Sequence, residues 1–259
     1  MEIETPKTKI AVTLYNLRDY CKTAEELDVT LGRVRDIGYE AIQISGIGPI
    51  DAETVGELLK KHQLFCCATH ESLSNLRDDF KNIVKKMRLW NCDFTALGHP
   101  GNDYWSAPGI AELATILDEI AVKFEAENMM LGYHNHHTEF EKCSTGKLYL
   151  EEIYDRTKDL RAEIDVHWVV RGGADPVSWI KRVAGRMPVV HFKDFAIVDS
   201  APQFCEIGEG NLDWPKIIKA CEETNVRWYS IEQDSTFGDK DIFESIKISF
   251  DNLKAMGVE

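Results

Sequence analysis

The sequence of 259 residues predicts an α/β chain closed into a single (β/α)8 barrel spanning residues 1–259. Three observations predict it. Short apolar, β-branched runs recur eight times along the chain. Stretches of helical period separate them. One run plus one helix takes roughly 30 residues, the length of a βα unit in a parallel sheet. An open, doubly wound sheet is the rival arrangement, but eight regular units in about 250 residues favour closure. No Gly/Ser linker or low-complexity tract divides the chain.

Each element has its own signal. Residues 10–14 form the first buried strand. Thr23 and Glu26 make a capping box for the helix that Gly38 ends. The second strand covers 41–45 and leaves through Gly46, Gly48 and Pro49 to a helix capped by Asp51. The third, 64–70, ends in His70. After it Leu73, Leu76, Phe80, Ile83, Val84 and Met87 share one helical face. The fourth strand, 94–98, ends at His99, and the next helix carries its stripe from Ile110 to Phe124.

Strand five, 129–136, begins apolar and ends in a burst of imidazoles and carboxylates. A helix over 147–158 leads to strand six, 161–165, which ends in Asp165. Asp175 and Pro176 read as an N-cap with proline at the first helical position. Strand seven, 189–194, is followed by a long loop through Gly208 and Gly210 and a helix entry at Asp213 and Pro215. Strand eight, 228–233, precedes a helix bearing Phe243, Ile246, Phe250 and Leu253.

Composition narrows the function. A net charge of -14 and a pI near 5.1 disfavour a nucleic-acid partner, which requires a basic stripe. No apolar run reaches membrane-spanning length, and the first residues lack a basic and apolar signal segment, so no membrane partner is expected. The seven cysteines, Cys21, Cys66, Cys67, Cys92, Cys143, Cys205 and Cys221, include no CxxC pair and suggest a reducing compartment, the cytoplasm. A homo-oligomer is compatible with the sequence.

In a barrel the chemistry gathers at the C-terminal ends of the strands. Those ends carry Gln43, His70, His99, His134 and His136, Asp165, His191 with Lys193 and Asp194, then Glu232 with Gln233 and Asp234. A lone histidine or carboxylate at such a place is more often a packing or capping residue. Carboxylates and imidazoles from strands five to eight at one height are different, because unpaired carboxylates repel and a dication is the usual compensation. The ligand set is then a glutamate after strand five, Asp165, His191 and Glu232. For the first ligand Glu139 and Glu141 both qualify, and Glu139, nearer the strand end, is preferred. Three carboxylates and one imidazole suit one divalent ion, Mn²⁺, Mg²⁺ or Co²⁺, with Zn²⁺ also allowed.

The stretches Tyr133 to His136 with Glu139 and Phe140, Glu163 to Asp165 followed by Trp168 to Pro176, His191 to Asp194, and Ile231 to Asp234 resemble the xylose-isomerase-like TIM barrels known as sugar phosphate isomerases/epimerases. The resemblance runs nearly the whole length. It implies one divalent metal held by Glu139, Asp165, His191 and Glu232, and a small-molecule sugar substrate. It departs at strand five. Ketose epimerases of the superfamily end that strand in a Glu that is both ligand and acid/base, and here His134 stands at about that position. Its inosose dehydratases keep a lyase reading open beside isomerase.

The reaction expected is removal of a proton α to a carbonyl through an enediolate. Glu232 is the first candidate to move it, with Glu139 held at the metal. His134 or His136 is the second acid/base, and Gln43, His70, His99, His136 and Lys193 are substrate contacts. Lys193 has a plainer alternative as a partner of Asp194. His167 is expected to pack or orient, and Trp105 and Trp168 to stack on a sugar or fill the core.

Overall fold

The computed structural model describes residues 3–236 and 238–259. Eight strands close into a parallel barrel: β1 (Ile10–Thr13), β2 (Ala41–Ile44), β3 (Phe65–Glu71), β4 (Phe94–Leu97), β5 (Met130–His134), β6 (Arg161–Asp165), β7 (Val189–Phe192) and, last in the chain, β10 (Trp228–Ile231), which pairs with β1. Between β7 and β10 a separate antiparallel hairpin joins β8 (Asp194–Val198) to β9 (Ala201–Cys205). The barrel is the predicted one. The hairpin lies where the sequence suggested only a long loop.

The helices are α1 (Ala24–Ile37), α2 (Ala52–His62), α3 (Leu73–Asp78), α4 (Phe80–Leu89), α5 (Ala107–Ala126), α6 (Tyr149–Arg156), α7 (Val166–Arg171), α8 (Pro176–Arg182), α9 (Trp214–Glu223) and α10 (Ile242–Ala255). Their starts follow the capping chemistry. Thr23 and Glu26 form the reciprocal capping box of α1, and Asp51, Asp175 and Asp213 accept from the first turns of α2, α8 and α9. The single helix expected over 73–87 is broken at Asp79, which is the C-cap of α3 and the N-cap of α4. The short α7 follows Asp165 directly, because that carboxylate caps it by accepting from the Trp168 N–H at 3.0 Å.

Most of the apolar core lies between the barrel and its helices. A second, smaller cluster comprises Ala11, Ala41, Cys67, Ala68, Phe94, Ala96, Val189 and Trp228. Several of these share strand faces with Thr13, Gln43 and His191, so they fill the barrel below the polar rim. Small residues are required there: a Cβ on Gly132 would sit 2.4 Å from the Phe94 ring. The apolar floor leaves the polar side chains stacked above it.

Candidate metal centre and substrate cavity

Register sets the heights of the polar groups. Asp165 is paired with His191 across β6 and β7, and His134 with Glu163 across β5 and β6. Side chains two apart on one strand share a face, so Glu163 lies one layer below Asp165. His134, Asp165, His191 and Glu232 bring one ligand atom each within 4.8 Å of the others. His134 Nε2 is 3.7 Å from Asp165 Oδ2 and 3.9 Å from Glu232 Oε2. Ligands bound at roughly 2.0–2.6 Å to one ion are separated by distances of this order. His134 Nε2 and Asp165 Oδ2 are buried with no hydrogen-bond partner, an arrangement that is costly unless something else satisfies them. The donor set, two imidazoles and two carboxylates, fits a divalent cation.

Glu139 is not brought to this cluster. Residues 138–140 form a turn of 3-10 helix that carries its carboxylate away, where it accepts from Tyr133 Oη at 2.8 Å and the His136 N–H at 2.9 Å. Burial pushes it up to about 7, against those hydrogen bonds. The strand-five group at the cluster is His134. The structure thus corrects the expected placement of Glu139, and the cause is the end of β5 at His134 rather than at 136.

Charge around the cluster is closely balanced. Burial disfavours the charged form of every member, but Lys193 and His134 draw Asp165 down to about 2, and Lys193 and His191 hold Glu232 well below the carboxylate range. Burial lowers His191, yet Glu163 and Glu232 overcome this and raise it to about 10. Lys193 is fully buried, with Nζ 3.0 Å from Asp234, 3.5 Å from Asp165 and 3.5 Å from Glu232. It also lies beneath the rings of Trp168 and Phe204. Lys193 therefore does not pair with Asp194. That carboxylate instead accepts from the backbone of Phe195, Gly208, Gly210 and Leu212 and from the Trp214 indole, and it anchors the segment after β7.

Above the cluster opens a cavity of about 560 Å³ lined by Tyr15, His70, Glu71, Ser72, Gly98, His99, His134, His136, Trp168, Lys193, Glu232 and Asp234. Of the expected substrate contacts, His70, His99, His136 and Lys193 line it. Gln43 does not. It is fully buried, and its amide bridges Glu163 and His191 below the cluster. Burial lowers His136 to about 3 and keeps its ring neutral, with Nδ1 unpartnered. His167 packs among Trp168, Phe195 and Phe204, and Trp105 lies against His99 and Tyr149. Asp234, named from sequence among the polar strand ends without a role, lines the cavity, whereas Tyr15 and Glu163 are not among the site residues expected from sequence. The spacing of Glu163 from Asp165, two along one strand, is the signal that points to Glu163.

A closed parallel barrel with a polar cluster at its C-terminal rim defines a class of enzyme scaffolds, and sequence profiles place the chain within it. Residues 31–250 match the family described as xylose isomerase-like TIM barrel, so the chain belongs to that family. A comparison with curated proteins finds no match. Among solved structures, two sugar phosphate isomerase/epimerases from Parabacteroides distasonis are similar. One is 20% identical with a TM-score of 0.78, covering 98% of this chain and 96% of its own. The other is 19% identical with a TM-score of 0.80, covering 95% and 98%. A probable 3-DHS dehydratase from Bacillus anthracis is 17% identical with a TM-score of 0.70, covering 95% and 98%. At these identities the likeness is one of fold.

Proposed function

We propose that the protein is a divalent-metal-dependent isomerase or epimerase of a small, unphosphorylated sugar, working as a single cytoplasmic domain. The observation that carries this reading is the convergence of His134, Asp165, His191 and Glu232, with two unsatisfied buried atoms facing one another, at the foot of a polar cavity. A cation held there would supply Lewis-acid stabilisation of an enediolate. Glu232, kept ionised by Lys193 and His191, is the group that takes the proton from the carbon next to the carbonyl. His136, neutral and uncommitted at Nδ1, is offered for the second transfer. His70 and His99 face the hydroxyls from β3 and the end of β4.

Charge supports an unphosphorylated substrate. Lys193 is the lysine among the lining residues, and Asp165, Glu232 and Asp234 already surround it. Glu71 on the wall is committed to Lys86 and Asn75, so the described lining residues offer no uncommitted lysine or arginine to a phosphate dianion. The seven cysteines are all free and buried, in keeping with a reducing compartment. No helix among the described residues is long and apolar enough to cross a membrane.

A second reading has its own support. With an imidazole rather than a carboxylate at the strand-five position, a two-glutamate epimerisation lacks one partner, while Lys193 and Asp234, 3.0 Å apart on the cavity wall, would be available to protonate a departing hydroxyl. Such a proton donor would serve a lyase or dehydratase. The test is incubation of the Mn²⁺-loaded enzyme with ketoses and keto-glycosides in D2O, followed by NMR and mass spectrometry. Deuterium at the α carbon with conserved skeleton identifies isomerase or epimerase. Loss of water or an aglycone identifies the lyase. Glu232→Gln should abolish both, and retained turnover in it would contradict the role given to Glu232.

A further inference from the structure

Beneath the cation cluster lies a layer of polar side chains, of which His70 also lines the cavity. Its centre is Glu163, fully buried on β6. His70 Nε2 approaches Glu163 Oε2 at 2.5 Å, and Gln43 Nε2 donates to Glu163 Oε1 at 3.1 Å. On its other side Gln43 Oε1 is 2.8 Å from His191 Nε2. Three strands, β2, β3 and β6, thus converge on a group that reaches a fourth, β7, through this amide, while Glu163 Oε1 itself lies 3.4 Å from His191 Nε2.

The chemistry of this chain has one consistent direction. An ionised carboxylate only accepts hydrogen bonds, so both groups that meet Glu163 must donate. Gln43 therefore turns its NH2 to Glu163 and its oxygen to His191. Reversing the amide would set oxygen against carboxylate. An amide oxygen facing His191 Nε2 requires a proton on that nitrogen; Nδ1 donates to ionised Glu232 in the metal-free cluster and is the nitrogen whose lone pair a bound cation would take. By the same rule His70 carries its proton on Nε2. Its Nδ1 lies on the side of Gly98, where an added Cβ would approach it to 3.2 Å, and both residues line the cavity.

We propose that Glu163 is a positioning residue that selects the tautomers of two histidines, fixing His191 through Gln43 as an Nδ1 ligand of the cation and holding His70 with Nδ1 turned to the substrate. This rests on the metal reading of the cluster. It also reassigns Gln43 from substrate contact to the support of a ligand. Metal-bound histidines depend on such a partner, and its loss typically weakens metal affinity about 10–100-fold. The arrangement makes Nδ1 of His70 an acceptor for a substrate hydroxyl, from a ring that cannot rotate without breaking its bond to Glu163.

Two measurements test it. Multiple-bond ¹H–¹⁵N NMR on ¹⁵N-histidine protein loaded with Mg²⁺ should show His191 protonated at Nε2, and in metal-free protein His70 protonated at Nε2. A proton on Nδ1 of either ring would overturn its half of the proposal. Calorimetric titration with Mn²⁺ should give a Kd raised about 10–100-fold in both Gln43→Met and Glu163→Gln. Circular dichroism should confirm that each variant is folded. An unchanged Kd in folded Gln43→Met would contradict the link to His191. Should a variant fail to fold, the wild-type NMR decides. Wild-type protein that binds no Mn²⁺ would defeat the metal reading instead, and the His70 tautomer in metal-free protein would still decide what Glu163 does.

Discussion

At strand five the difference between His134 and Glu139 comes down to where the chain leaves the barrel. A sequence shows a crowd of imidazoles and carboxylates over 134–141, but not the residue at which the extended backbone gives way to a turn. The turn over 138–140 swings Glu139 back onto Tyr133 and the His136 N–H, and His134 is left facing Asp165 and Glu232. Asp165, His191 and Glu232 are legible because each sits at a strand end where the backbone is still extended. Gln43 is legible as polar and inward, but its layer depends on register, which strand pattern alone does not supply. Glu139→Gln tests the new placement. Glutamine can accept from the His136 N–H and donate to Tyr133 Oη, so Mn²⁺ affinity and turnover should stay within a few-fold of wild type; loss of metal would contradict it. The same variant has a pH signature. The Glu139 carboxyl is raised to about 7 in the fold, so its contribution to stability is complete below about pH 4.5 and is lost as pH rises through 7. Stability measured by urea unfolding should fall more steeply across that window in wild type than in Glu139→Gln, by at most about 1.4 kcal/mol per pH unit for one proton.

Among the elements, strands and capped helices follow directly from apolar periodicity and N-cap chemistry, as Thr23 with Glu26 and Asp175 with Pro176 illustrate. The β8–β9 hairpin is less visible. Of its residues Asp194, Phe195 and Cys205 are buried and the rest are not, Ile197 is exposed, and no uniform apolar alternation marks it. What organises that region is Asp194, whose buried carboxylate gathers four backbone N–H groups and the Trp214 indole. Gly210 is required there because a Cβ would fall 2.2 Å from Asp194 Oδ1. An orphaned buried donor costs about 1–3 kcal/mol. Asp194→Ala should therefore lower unfolding free energy by at least about 3 kcal/mol, since several donors lose their acceptor together. A loss below about 1 kcal/mol in urea titration would show that water replaces the carboxylate and that the segment is anchored elsewhere.

For the whole molecule, the barrel converts distant residues into one buried cluster of charge. Asp165, Glu163 and Glu232 carry one charge more than Lys193 and His191 offset within the protein, and that excess would favour a cation at His134 Nε2 and Asp165 Oδ2. Binding to the folded state alone stabilises it by about 2.7 kcal/mol at one hundred times Kd. For a chain of this size that corresponds to a rise in Tm of roughly 5–10 °C. Mn²⁺ should produce that rise and EDTA should reverse it; an unchanged Tm at saturating Mn²⁺ would be inconsistent with a cation in the barrel. The most direct measurement is the anomalous scattering of Mn²⁺ in crystals of the protein. One peak is expected at roughly 2.0–2.6 Å from His134 Nε2, Asp165, His191 and Glu232, with Glu139 still bonded to Tyr133 and His136. A peak liganded by Glu139, or no peak at saturating Mn²⁺, would contradict it.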